Sequence, residues 1–155
     1  MLIQNYGLFW RLDSVFWGKP RSAGALLGVQ ATAKKSPPVD FRFQSGIYAL
    51  YSDYELIYIG QTGGKGQKLM ARLVQHRRHD LAGRWNMFSW FGTRSVLETL
   101  ELKAEKKGAS TTHPLALNHL EAVLIHVAEP RLNRQGGKWG KSVKKYLQRK
   151  DPRLP

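Results

Sequence analysis

The stretch that decides the fold is Gly46-Ile47-Tyr48-Ala49-Leu50-Tyr51-Ser52-Asp53-Tyr54-Glu55-Leu56-Ile57-Tyr58-Ile59-Gly60. It reads as two short strands joined by a tight link, a hairpin over roughly Ser45–Tyr51 and Glu55–Gln61. If the hairpin closes over Ser52-Asp53-Tyr54, Tyr51 pairs with Glu55 and Tyr48 falls opposite Tyr58. Directly opposed residues share a face of the sheet, so two phenolic hydroxyls would stand side by side. A two-residue turn would break this register.

Outward from the hairpin, Thr62-Gly63-Gly64-Lys65-Gly66 is a flexible loop whose glycine spacing matches no P-loop. A helix is predicted from about Gln67 to Arg78, then a strand over Trp85–Gly92. That strand has Met87, Ser89 and Phe91 on one face and Phe88 and Trp90 on the other. Further helices are predicted over Val96–Lys107, over Leu115–Ala128 before Pro130, and over Ser142–Lys150, with a polar loop at Gly108–Pro114. Upstream, residues 1–44 form an arm, aromatic-rich at Tyr6, Phe9, Trp10, Phe16 and Trp17. The arm ends at a turn in Lys34-Lys35-Ser36-Pro37-Pro38 and either packs on the domain or helps bind substrate.

The 155 residues suffice for one compact domain, divided into the arm, a core over 45–135 and a basic extension over 136–155. With no cysteine there is neither a disulfide nor a thiolate metal site. Nothing resembles a signal peptide or a membrane span, so a cytoplasmic location is expected. The net charge is +14, and it is uneven: residues 1–60 carry six Lys/Arg against four Asp/Glu, residues 61–155 nineteen against seven. Such a field points to a nucleic-acid polyanion as partner.

Three groups of residues invite chemistry. On the helix over Leu115–Ala128, Glu121 falls at about 40° from Leu117, inside the apolar stripe of Leu117, Leu120, Leu124 and Ala128, with Ile125 just beyond it. A carboxylate there either binds a metal or does catalytic work, or it pairs with an arginine. On the helix after the glycine loop, Arg72 and His76 stand i,i+4 on one face, with His79 beside them and Leu69 and Leu73 on the buried side. A guanidinium that clamps phosphate next to an imidazole that moves a proton suits phosphodiester chemistry; the plainer reading is a solvated basic face. Between Arg131 and Arg153 lie nine Lys/Arg and one acid, Asp151. There Arg131, Arg134, Lys138 and Lys141 can follow a phosphate backbone, while Trp139 either stacks on a base or folds back onto the domain.

Together these residues resemble the GIY-YIG nuclease family. Gly46-Ile47-Tyr48 and Tyr58-Ile59-Gly60 match its two name motifs, with Gln61-Thr62 following. Arg72 and His76 match its arginine and that arginine's histidine-or-tyrosine partner. Glu121 matches its metal-binding glutamate, and Asn133 in Pro130-Arg131-Leu132-Asn133 matches the asparagine after it. The resemblance covers about residues 45–135 and implies an α+β fold, a small, mainly antiparallel three-stranded sheet flanked by helices. To this the aromatic arm and a basic C-terminal helix would be added.

The resemblance also implies metal-dependent endonuclease activity. The substrate would be DNA, single- or double-stranded, with RNA as the alternative, and the enzyme a monomer or homodimer. Glu121 would anchor one Mg²⁺ or Mn²⁺, and Arg72 would neutralise the phosphate at the transition state. Tyr48 would orient or deprotonate the attacking water, a task that needs cationic neighbours to lower its pKa. Tyr58 and His76 would position the water or relay its proton. Asn133 would fix local structure or a phosphate contact. Two other readings stand beside this one: a catalytically inactive nucleic-acid-binding module of the same fold, and a basic scaffold protein whose tyrosine motifs are core strands.

Overall fold

The computed structural model describes residues 2–62, 67–79, 81–104, 123, 127 and 143–155. Their frame is a seven-stranded sheet. In chain order the strands are β1 (Asn5–Arg11), β2 (Leu27–Gln30), β3 (Val39–Asp40), β4 (Gly46–Ser52), β5 (Glu55–Gln61), β6 (Met87–Gly92) and β7 (Lys144–Gln148), with one helix, α1 (Leu69–Arg78), between β5 and β6. The spatial order is β3-β2-β7-β1-β6-β4-β5. Only β1 and β7 run parallel; the other neighbours are antiparallel.

The expected three-stranded sheet flanked by helices is therefore overturned. The difference comes from both ends of the chain. The arm at 1–44 supplies β1, β2 and β3, and its Trp10 is buried at 2 % exposure. The expected basic helix at the C-terminus is instead β7, inserted between β1 and β2. There its backbone bonds on both sides, with Ala31 N donating to Lys145 O at 3.1 Å and Lys144 N to Gln4 O at 3.2 Å. Two filled ladders satisfy more backbone groups than one short exposed helix would. Tyr146 turns inward against Phe41, their rings 4.7 Å apart, while Lys144 and Lys145 stay exposed.

The expected helix over Val96–Lys107 is absent as far as residue 104. Val96 and Leu102 form an isolated bridge, Leu97 N donates to Glu101 O, and Leu100 has φ +64°. The Arg94 guanidinium gathers the carbonyls of Phe43, Leu102 and Lys103, which stabilises this turn in place of a helical ladder. The expected strand at Trp85–Gly92 is present as β6, with both of its faces buried. Phe88 and Trp90 face one apolar cluster with Leu69 and Leu73 of α1; Met87 and Phe91 face a second with Ala49 and Tyr51. In the region of the expected helix over Leu115–Ala128, Val123 and Val127 are helical and buried in that second cluster. Among the described residues no helix is long and apolar enough to cross a membrane.

The hairpin differs from expectation in a way that decides the site. Its turn has two residues, Asp53 and Tyr54, both with positive φ (45° and 73°), as a twisted hairpin turn requires. Asn86 secures it, accepting from Asp53 N at 3.0 Å and donating to the Asp53 carboxylate at 2.6 Å. Ser52 therefore pairs with Glu55 and Tyr51 with Leu56. Continued down the ladder, this one-residue slip would turn Tyr58 to the face opposite Tyr48. A bulge at Ile57 cancels it: past the bulge Leu50 pairs with Tyr58 and Tyr48 with Gly60. Tyr48 and Tyr58 thus share a face as diagonal neighbours, not as the directly opposed pair expected.

Candidate active site

The site lies on the α1 face of β4 and β5. α1 is anchored at its start by the segment before β4, where Leu69 N donates to Gln44 O at 2.9 Å and Met70 N to Arg42 O at 3.1 Å. These bonds serve two of the amides that a helix start leaves without intrahelical partners. Leu69 and Leu73 pack inward, which aims the i,i+4 pair Arg72 and His76 at the hairpin.

Tyr48 is fully buried, yet its hydroxyl reaches both side chains. Arg72 Nε donates to Tyr48 Oη at 3.2 Å, and Tyr48 Oη lies 2.8 Å from His76 Nε2. Since the phenol oxygen accepts from Arg72, its own proton is available to His76 Nε2. With the imidazole proton on Nδ1 the bonds run from Arg72 N–H to Tyr48 O–H to His76 Nε2; with the proton on Nε2, His76 donates to Tyr48 instead. Tyr58 closes the cluster, its ring 4.7 Å from His76 and 6.2 Å from Tyr48.

The glycine of the second motif has a steric reason. A Cβ on Gly60 would stand 2.3 Å from Tyr48 Oη and 2.7 Å from Tyr58 Cε1. The Tyr48 phenol occupies the space a side chain at 60 would need. At the other end of the pair, Gly46 has φ +146°, and a Cβ there would meet Phe91 O at 1.9 Å. Thr62 Oγ1 accepts from Gly46 N at 2.6 Å and ties the two motif ends together.

Burial pushes the Tyr48 hydroxyl pKa up; the Arg72 hydrogen bond and charge pull it down, and Tyr58 adds to the rise. Burial wins, so the cationic neighbour does not make Tyr48 a free base. The same hydrogen bond to Tyr48 is the main reason that Arg72 is held even more firmly in its charged form. Arg72 is aimed by Gln67 Oε1 at 3.2 Å and Gln75 Oε1 at 2.7 Å. Lys68, one turn before Arg72, donates to Ser45 Oγ at 3.0 Å. Sequence reading missed these supports, although Lys68 and Gln75 flank Arg72 at helical spacing. α1 also carries Arg77 and Arg78 and no acid, and Arg77 lies 4.3 Å over the Trp17 ring.

Of the residues expected at the site, Tyr48, Tyr58, Arg72 and His76 come together. Glu121, Asn133, Arg131, Arg134, Lys138, Trp139 and Lys141 lie outside the described residues. Among the described residues no three His, Cys, Asp or Glu side chains converge as a metal site would need. Two phenols, an imidazole and a guanidinium are groups able to bind an anion and exchange protons; the carboxylate expected to hold a divalent ion, Glu121, is not among the described residues. No family model, curated protein or solved structure matches the chain.

Proposed function

We propose that the protein is a metal-dependent endonuclease of the GIY-YIG type that hydrolyses DNA phosphodiester bonds. One observation carries the reading: the buried Tyr48 hydroxyl takes a hydrogen bond from Arg72 and faces His76 Nε2 at 2.8 Å. A tyrosine that only filled a core would not need a guanidinium and an imidazole at its oxygen. The net charge of +14 supports a polyanionic substrate.

In the proposed reaction Arg72 holds a nonbridging phosphate oxygen, where charge grows as water adds. Because burial keeps Tyr48 protonated, it acts as a relay: its oxygen takes a proton from the attacking water while its own proton passes to His76 Nε2. The new P–O bond forms as the bond to the 3′ oxygen breaks, and that oxygen takes a proton from solvent water, leaving a 5′ phosphate and a 3′ hydroxyl. Tyr58, against His76, holds the imidazole in line. A hard divalent ion at Glu121 would neutralise charge on the phosphate oxygens when bound.

The test is cleavage of supercoiled plasmid and of short single- and double-stranded oligonucleotides, with Mg²⁺ or Mn²⁺, by wild type and by Glu121→Ala. The expected result is nicking by wild type and loss of product in the variant. Binding without product under every condition would overturn the enzyme in favour of a binding module. Equal cutting by Glu121→Ala would overturn the metal assignment.

A further inference from the structure

Phe43 is 55 % exposed and packs into neither apolar cluster. It is nonetheless rigidly presented. Its carbonyl accepts from Arg94 Nη1 at 2.6 Å, and the next amide, Gln44 N, donates to Phe41 O at 2.9 Å. One face of the ring is backed by the Arg42 guanidinium, 4.8 Å from the ring centroid. That guanidinium is itself fixed, with Nε 3.2 Å from the Asp40 carboxylate and Nη1 donating to Gly24 O at 3.1 Å. With one face against Arg42, the exposed part of the ring is the other face and the edge.

The platform adjoins the candidate site. The carbonyls of Arg42 and Gln44, on either side of Phe43, receive the first amides of α1, and Ser45 receives Lys68. Arg72 follows Lys68 by one turn and His76 by two, about 12 Å of helix rise in all. Lys68, Arg72 and His76 thus follow one another from the end of α1 at which the Phe43 backbone sits.

We propose that Phe43 stacks an unpaired nucleobase of the substrate strand, next to the nucleotide whose phosphate Arg72 holds. The proposal rests on the nuclease reading and deepens it: the site would prefer a strand whose base can leave its helix. Every base presents a π-face, so the contact adds affinity without reading sequence. The guanidinium beneath the ring holds the ring flat by cation–π attraction, so little side-chain freedom is lost when a base arrives.

The experiment measures binding by fluorescence anisotropy, in EDTA so that no strand is cut. It compares a short single-stranded oligonucleotide with a strand of equal length that has abasic sites in place of bases. Wild type should favour the base-bearing strand by about tenfold, the scale of one aromatic–base stack. Phe43→Ala should lose that preference while binding the abasic strand as wild type does, and Phe43→Trp should keep it. An unchanged melting curve checks that this exposed substitution leaves the fold intact. A Phe43→Ala variant that keeps the full preference overturns the platform, as does a wild type that binds both strands equally; both leave the nuclease reading standing. A wild type that binds neither strand overturns the platform; the nuclease reading falls with it only if a duplex of the same length is not bound either.

Discussion

Tyr48 and Tyr51 stand three residues apart on β4, both fully buried, and face opposite sides of the sheet. The Tyr48 hydroxyl meets Arg72 and His76. The Tyr51 hydroxyl has no hydrogen-bond partner among the described residues. Its neighbour Ser89, whose hydroxyl already receives Phe9 N at 3.0 Å, relieves the cost of burial only in part. Burial alone therefore does not mark a functional tyrosine; what its oxygen touches does. On the Tyr51 side the ring is held by aromatic packing, 4.9 Å from Phe9. On the Tyr48 side, polar groups of α1 are brought to a point that the apolar cluster alone would not require.

The sharpest way to break this contrast is to remove each hydroxyl in turn. Tyr48→Phe should lower cleavage by about 10²- to 10⁴-fold, the range for loss of a proton-transfer group. Tyr51→Phe should cleave as wild type does. Its stability should be unchanged or slightly raised, since an unpartnered buried hydroxyl is lost. Single-turnover cleavage rates and thermal melts of both variants decide the point. Equal loss of activity in the two would mean that the site depends on sheet packing and not on the Tyr48 oxygen.

A smaller effect should come from the residue beneath Tyr48. Gly60→Ala places a methyl 2.3 Å from the Tyr48 oxygen, and the phenol must move. Overpacking of this kind costs about 1–3 kcal/mol. A displaced relay oxygen should slow cleavage by roughly 10²-fold even where the protein remains folded. Gly83→Ala is the control, because a Cβ there meets nothing within 4 Å, though its φ of +70° adds backbone strain of its own. It should lose some stability and no activity. A Gly60→Ala protein with wild-type cleavage would show that Tyr48 need not lie over Gly60.

Local features of this chain were legible in its sequence, and pairings between distant segments were not. Arg72 and His76 were placed on one face by helical spacing, and β6 was divided correctly into its two faces by alternation. The shared face of Tyr48 and Tyr58 was also inferred, but through a register the protein does not use. The two-residue turn depends on Asn86, far along the chain, and the bulge at Ile57 leaves no mark in composition. β7 was unreadable for a similar reason. Lys144-Lys145-Tyr146-Leu147-Gln148 passes for a short helix until residues 28–30 and 5–6 offer it two ladders. Phe43 carried no periodic signal; its interest comes only from its exposure over Arg42.

The smallest effect lies at alkaline pH. Burial is the leading cause that raises the pKa values of Tyr6, Tyr48, Tyr51 and Tyr146 above 10.0. In the unfolded chain these phenols lose their protons near 10, and in the folded chain they lose them later. Above pH 10 the folded state thus binds more protons than the unfolded one, and stability falls as pH rises; near neutrality the four contribute no slope. Thermal melts from pH 8 to pH 11, beside absorbance titration of the phenolates, measure this fall. Removing one tyrosine should flatten it. Arg72→Gln should deepen it, because the hydrogen bond and charge of the guanidinium pull the Tyr48 pKa down against burial. An unchanged fall in Arg72→Gln would mean that the guanidinium does not relieve the buried Tyr48 oxygen, and the contrast between the two faces would lose its electrostatic half.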